Sequence, residues 1–397
     1  MSLTDAKVVK DQDQTRLSLN TLSLNELASY VVQEHDLNNK LNSALPLNEF
    51  LSIISQAVRS LIDLVLGTDS DPYKQLFGTD RQINSLLALS PETQKIMAGF
   101  GANTLRQAMY YSLHSDGKML RPTLVFIGGL LFNAKIEDLL IAALAIECVH
   151  TYSLIHDDLP AMDNDDYRRG KLTNHKVFGE DMAILAGDSL QTLAYSLLSN
   201  NQNLTHQAIV KQIQVLSYGA GHYGMCLGQA LDILGEDLTI GQMTERGITP
   251  EQSARRLNEI HYRKTAFLIR SSILMGVYAG WEQAKHFPQI EDLLSSWSYN
   301  LGLTFQVKDD LLDIEGDQAE LGKTVGSDLT NHKLTYVSLF GLEQARTKMQ
   351  NLFKQTLNCI GNVEEHLKTC SADTSLINYH AIEWLQEITS FVVVRRK

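Results

Sequence analysis

Residues 136–156 read IEDLLIAALAIECVHTYSLIH, and this stretch decides the fold. Drawn on a helical wheel it is apolar nearly all round. A helix of that kind is buried on every side, by other helices or by lipid. Its longest unbroken apolar stretch, Leu139–Ile146, is far too short to span a bilayer. The remaining reading is a central helix packed inside a bundle.

Working outward, the same period recurs. Leu51, Ile54, Val58, Leu61, Ile62 and Val65 follow at mostly three- and four-residue steps, the spacing of one helix face. The chain has only 7 prolines in 397 residues, and no alternating β-branched runs bounded by turn pairs. The expected fold is all-α, a large single-domain helical bundle. Residues 1–45 are polar and rich in Asn, Gln, Asp and Ser, so they read as a flexible extension with one short helix near Leu24–Gln33. Residues 46–397 then form the main domain. Gly67–Pro91 and Leu234–Pro250 combine glycines, acids and prolines and read as surface segments. No internal repeat of fixed period is present.

The net charge is −12, and no broad basic face is available for nucleic acid. Phosphate substrates are not excluded, because a few basic residues or bridging cations suffice for them. Cys148, Cys226, Cys359 and Cys370 form no CxxC pair, and read as reduced thiols of a cytoplasmic protein. The first forty residues mix Asp5, Asp11, Asp13 and Glu34 with their lysines, unlike an acid-poor transit peptide. No stretch reads as membrane-spanning.

Two aspartate clusters carry the chemistry. Asp309, Asp310 and Asp313 stand at i, i+1 and i+4 after an apolar run, so residues 309 and 313 share a helix face. Carboxylates that close repel unless a cation lies between them. Oxygen ligands suit Mg²⁺, which keeps waters and binds through carboxylates together with substrate phosphates. The other cluster is Asp157, Asp158 and Asp163. Residues 157 and 163 are about 240° apart on an ideal helix, and Pro160 disfavours the helical conformation at Leu159. A break at Leu159-Pro160 is therefore expected to return Asp163 towards Asp157. Acidic runs are usually solvated surface, but both clusters here close apolar helices (SLIHDD and LTFQVKDD). A calcium loop starting at Asp163 fails, since Arg168 takes its glycine position and Asn174 the position of its bidentate glutamate.

Separated basic signals accompany the carboxylates: Gly117-Lys118-Met119-Leu120-Arg121, Arg168-Arg169-Gly170, Lys264-Thr265 and Gly322-Lys323. Arginine can hold a diphosphate bidentately, and lysine acts as a point charge. The pair Gly99-x-Gly101 is a weak signal, because no strand precedes it.

At these residues the chain resembles the trans-type isoprenyl diphosphate synthases, and within them most nearly the bacterial farnesyl diphosphate synthases. The segment His150–Asp188 is similar to the family's first aspartate-rich region. Gly228-Gln229-Ala230-Leu231-Asp232, Lys264-Thr265 and Phe305–Asp310 follow in the family's order. The likeness covers about residues 47–397 and implies the isoprenoid synthase fold, a helical bundle around a central cavity. It implies that Asp157, Asp158, Asp163, Asp309, Asp310 and Asp313 hold about three Mg²⁺ ions bridged to an allylic diphosphate. It assigns Arg168, Lys264, Thr265, Gln306 and Lys323 to that same substrate. Lys118, Arg121, His150 and Arg169 would bind isopentenyl diphosphate. A homodimer is the family's usual assembly.

The implied reaction condenses isopentenyl diphosphate with dimethylallyl or geranyl diphosphate to give farnesyl diphosphate. Chain length in the family is set four and five residues before the first aspartate, here Ser153 and Tyr152, and an aromatic at the fifth position stops growth near fifteen carbons. The wheel alone would not choose Tyr152, which lies off the Asp157 stripe, and a core tyrosine is the competing reading. A geranylgeranyl diphosphate synthase is the alternative product assignment. A non-catalytic partner subunit would be expected to lose aspartates from one cluster, and both are complete. A terpene cyclase would have no use for Lys118, Arg121 and His150. Three departures stand out: Asp116 and Met119 replace the usual Gly and Arg around Gly117-Lys118, and Ala266 replaces a frequent glycine after Thr265.

Overall fold

The computed structural model describes residues 22–41, 45–67, 102–236, 245, 247–315, 334–370 and 376–395. Among them the structure is helical, apart from one hairpin of two-residue strands, Tyr167–Arg168 and Lys171–Leu172. The all-α expectation holds. The chain divides into two compact units, Met1–Thr123 with Ile136–Ile209, and Leu124–Lys135 with Val210–Lys397.

The first unit is built on the Ile136–Asp157 helix. Leu139, Leu140, Ile141, Ala143, Ile146 and Val149 are all fully buried, as the all-round apolar pattern requires. This helix has the length and composition to cross a membrane, but 78% of its apolar window is covered by the protein itself. It packs along Glu180–Ser199 and also touches Leu24–Glu34, Leu47–Leu66 and Ala102–Leu113. The helix expected near Leu24–Gln33 runs over Leu24–Glu34. Ser23 and Glu26 close its first turn as a reciprocal capping box, which satisfies otherwise orphaned N–H groups. Leu27, Ala28 and Val31 are buried, so residues 24–34 are packed against this unit. Residues 1–21, most of the Gly67–Pro91 segment, and Gly99 and Gly101 lie outside the described residues.

The second unit centres on Ile290–Glu315, which packs against Leu342–Cys370 and Phe267–Ala279. Leu303, Val307 and Leu311 stand at i, i+4 and i+8 and are buried with Leu257, Tyr336 and Leu352. That stripe fixes the rotation of the helix, and with it the direction of the aspartates that follow. A five-residue π-helix, Tyr262–Ala266, lies between Pro250–His261 and Phe267–Ala279. Such wide turns are rare and concentrate at functional sites. Most of Leu234–Pro250 and the Gly322-Lys323 pair lie outside the described residues.

Candidate active site

The Ile136–Asp157 helix ends where the sequence requires it to. Beyond Asp157 the backbone turns, and the Asp163 N–H donates to the Asp157 carbonyl at 2.9 Å. Asn164 follows with φ of 52° and donates to the Leu159 carbonyl at 3.1 Å. The break at Leu159-Pro160 thus brings Asp163 back beside Asp157. Asp157 is half-buried and Asp163 exposed, whereas Asp158 is buried.

Asp158 is held by the hairpin. Arg169 and Gly170 both take positive φ, 53° and 77°, the requirement of a two-residue type I′ turn. That turn places Arg168 on the strand leading into it. The Arg168 Nε donates to both Asp158 oxygens, at 2.7 and 2.9 Å, and its NH2 lies 2.6 Å from Oδ1. Burial pushes the Asp158 carboxyl above its ordinary range, and Arg168 opposes the shift.

Of the other basic residues expected at the site, Arg121 lies against His150. The Arg121 guanidinium lies 3.2 Å from His150 Nε2. A guanidinium only donates, so Nε2 accepts and the ring proton sits on Nδ1. Burial holds His150 well below the usual imidazole range, with Arg121 and Arg169 adding to the effect. His150 is therefore a neutral donor. Burial also pulls Arg121 down to about 10, against the support of Glu147, so it stays charged at neutral pH. Arg169 donates to Ser115 Oγ at 3.2 Å. Gly117 lies beside the Arg169 guanidinium, 2.5 Å from where a Cβ would stand. Lys118 is exposed. Asp116 points outward, its side chain 88% exposed and 3.4 Å from Arg59. Met119 is buried and begins the Leu120–Leu130 helix with φ of 47°, so this departure from the pattern fills core space. Tyr152 is buried with its ring edge-on to His156. Ser153 donates back to the His150 carbonyl at 2.8 Å.

In the second unit the Ile290–Glu315 helix runs unbroken through Asp309, Asp310 and Asp313. Asp310 follows the Leu303–Val307–Leu311 stripe inward and accepts from the Tyr336 backbone N–H at 2.8 Å. Asp313 is buried and Asp309 half-exposed. Arg395 meets Asp309: its NH2 lies 2.6 Å from Oδ1 and donates to the Phe305 carbonyl at 3.0 Å. Its guanidinium also stands 3.6 Å over the Phe305 ring. Lys264 and Thr265 lie in the π-helix, and Lys264 Nζ donates to Asp232 at 2.6 Å. A Cβ at Gly228 would sit 2.2 Å from the Lys264 backbone nitrogen, so glycine permits this approach. Ala266 packs on Gly302, where a Cβ would come within 2.4 Å of its own. Gln306 is half-buried. Lys323 is outside the described residues.

Four contributing residues were not picked out from the sequence: Arg59, Glu147, Asp232 and Arg395. Asp232 had a signal in the GQALD run. Arg395 had none, since no local pattern links it to a residue 86 positions away.

The donor set suits Mg²⁺. Among the described residues no three acidic, histidine or cysteine groups converge as a closed cage. Each cluster offers carboxylates, one of which is paired with a guanidinium: Asp158 with Arg168 and Asp309 with Arg395. Mg²⁺ needs only one or two carboxylates and completes its shell with water and phosphate.

The polyprenyl synthetase family model matches residues 102–371. A farnesyl diphosphate synthase of Haemophilus influenzae is 43% identical over 256 residues, 64% of this chain and 81% of that protein. One from Micrococcus luteus is 44% identical over 67% of this chain and 86% of its own length. A Helicobacter pylori geranyltransferase, solved with magnesium and isoprenyl diphosphate, aligns with a TM-score of 0.59 and 31% identity over 82% of this chain and 97% of its own. The chain belongs to the polyprenyl synthetase family, the trans-type isoprenyl diphosphate synthases.

Proposed function

We propose that this protein is a farnesyl diphosphate synthase, joining isopentenyl diphosphate to dimethylallyl and then geranyl diphosphate. The observation that carries the reading is the presence of two complete aspartate clusters, together with separate basic residues, in a chain of this family. Asp157, Asp158 and Asp163 bind Mg²⁺ against the allylic diphosphate, and Asp309, Asp310 and Asp313 do the same from the second helix. Bound there, Mg²⁺ neutralises charge on the leaving diphosphate. Arg168, Lys264, Thr265, Gln306 and Lys323 hold the allylic substrate. Lys118, Arg121, Arg169 and the Nδ1–H of His150 hold isopentenyl diphosphate. A neutral His150 suits this role, because it donates without abstracting a proton. The side chains orient two diphosphates and supply no nucleophile, so catalysis is positional and electrostatic. Buried Tyr152 limits the product at fifteen carbons, with Ser153 beside it.

The protein acts as a cytoplasmic homodimer, and residues 46–397 form the synthase domain. Its four free cysteines fit a reducing compartment, and exposed Val177, Ile184 and Leu185 offer apolar surface to a second copy. The test is turnover of Asp157→Ala and Asp309→Ala. Each is expected to lose about a thousandfold or more of kcat/KM, and near-normal activity in either would overturn the assignment. In Tyr152→Ala, products longer than fifteen carbons are expected, and an unchanged product would remove Tyr152 from this role.

A further inference from the structure

The Ala102–Leu113 helix presents one stripe to the hairpin that carries Arg168 and Arg169. Ala108, Tyr111 and Ser112 stand at i, i+3 and i+4, and Ser115 follows at i+7, just past the helix end. That is the spacing of a single helix face. Each of the four meets the segment Arg169–Asn174. The Tyr111 hydroxyl donates to the Leu172 carbonyl at 2.8 Å. The Asn174 amide donates to the Ala108 carbonyl and to Ser112 Oγ, both at 2.8 Å. Ser115 Oγ accepts from Arg169 at 3.2 Å. Asn174 is buried, and the Tyr111 ring lies edge-on to Phe178 with 5.5 Å between centroids.

The hairpin needs such holds. Each strand has two residues, and an isolated two-stranded hairpin is marginally stable at best. Its two arginines are secured unequally. The Arg168 Nε donates to both Asp158 oxygens, at 2.7 and 2.9 Å. Arg169, at the turn, is exposed and has the longer contact with Ser115. Arg168 therefore keeps its place through Asp158, whereas the place of Arg169 follows from how the hairpin sits on the helix stripe.

We propose that Tyr111 is a positioning residue for isopentenyl diphosphate. Its hydroxyl, with the Asn174 amide, seats the hairpin on the Ala102–Leu113 helix so that Arg169 meets Ser115 and stands ready for the diphosphate. This rests on the function proposed above. Tyr111 acts through Arg169 and not on the substrate. An arginine already placed loses less freedom when it closes on a phosphate. A tyrosine that merely stabilised the fold would affect both substrates alike, and would do so whether or not Arg169 were present.

The test is a double-mutant cycle of Tyr111→Phe and Arg169→Ala, read by steady-state kinetics with both substrates varied and by calorimetric binding of isopentenyl diphosphate. Tyr111→Phe keeps the ring beside Phe178 and removes the hydroxyl. By itself it should raise the KM and Kd for isopentenyl diphosphate about fivefold and leave the KM for dimethylallyl diphosphate within about twofold of wild type. The melting midpoint should move by less than about 2 °C. In the Arg169→Ala background the same change should alter the isopentenyl values by less than about twofold. Asn174→Ala removes two further holds and should raise the isopentenyl KM about tenfold; should it fail to fold, Tyr111→Phe carries the test. An unchanged isopentenyl KM in Tyr111→Phe would overturn the proposal, as would an equal rise in both KM values. So would a fivefold rise that persists in the Arg169→Ala background. Wild-type protein that condenses no substrates would overturn the functional reading instead.

Discussion

Three carboxylates close the Ile136–Asp157 helix and three close the Ile290–Glu315 helix, yet the two sets are assembled differently. In the first, a turn at Leu159-Pro160 folds Asp163 back on Asp157 through a 2.9 Å backbone hydrogen bond. In the second, an unbroken helix carries all three, and the Leu303–Val307–Leu311 stripe sets their direction. Asp310 is pinned by a backbone N–H from Tyr336, whereas Asp158 is pinned by a side chain, Arg168. The comparison teaches that similar sets of carboxylates can rest on a local turn or on helix packing. These two foundations should respond differently to substitution.

The largest expected effect beyond loss of turnover falls on the first cluster. Removing one partner of a buried ion pair leaves an uncompensated charge. Arg168→Met should therefore cost about 3 kcal/mol of stability, read as a fall in the denaturation midpoint. Asp309, half-exposed, should show no comparable loss when Arg395 is replaced. Equal destabilisation by the two changes would break the distinction.

The histidines give a smaller, pH-dependent effect. His261 is held down to about 4 by burial, and His150 is also depressed. Below the unfolded value near 6.5 the unfolded chain takes up protons that the folded chain refuses. Stability is thus full above about pH 6.5 and is lost as pH falls through the folded values, by about 1.4 kcal/mol per unit for each histidine. Melting curves between about pH 7 and 4.5 should show this slope, and His261→Asn should remove its share. A slope unchanged in that variant would contradict the assignment.

Pro160→Ala sharpens the comparison. Relaxing the turn should lower kcat/KM about tenfold, or about 1.4 kcal/mol, without shifting the melting midpoint appreciably. The smallest effect is expected for Arg395→Gln. Freeing Asp309 of its guanidinium should strengthen Mg²⁺ binding about threefold in a calorimetric titration. Weaker binding would mean that Arg395 supports the site.

Much of this was legible in the sequence because its signals are local. The apolar 136–156 run gave a buried central helix, and Pro160 foretold the turn that gathers Asp163. The i, i+4 pair Asp309 and Asp313 announced a regular helix. What the sequence hid was long-range. Arg395 reaches Asp309 only through the fold, and the burial of Glu147 on a helix of apolar neighbours was not visible in the sequence. The π-helix that carries Lys264 left no periodic trace, because five residues are too few to shift a hydrophobic pattern. The sequence showed Asp116 as a departure from the family pattern, and only the fold shows its side chain turned to solvent and Arg59.

The central claim is that the two clusters and their basic partners serve isoprenoid chain elongation to fifteen carbons. The most direct test is incubation of the purified protein with dimethylallyl and isopentenyl diphosphates and Mg²⁺, followed by dephosphorylation and chromatographic sizing. The account predicts farnesol as the main product and no product when Mg²⁺ is chelated. A twenty-carbon main product would contradict the chain-length assignment, and no condensation at all would contradict the account itself.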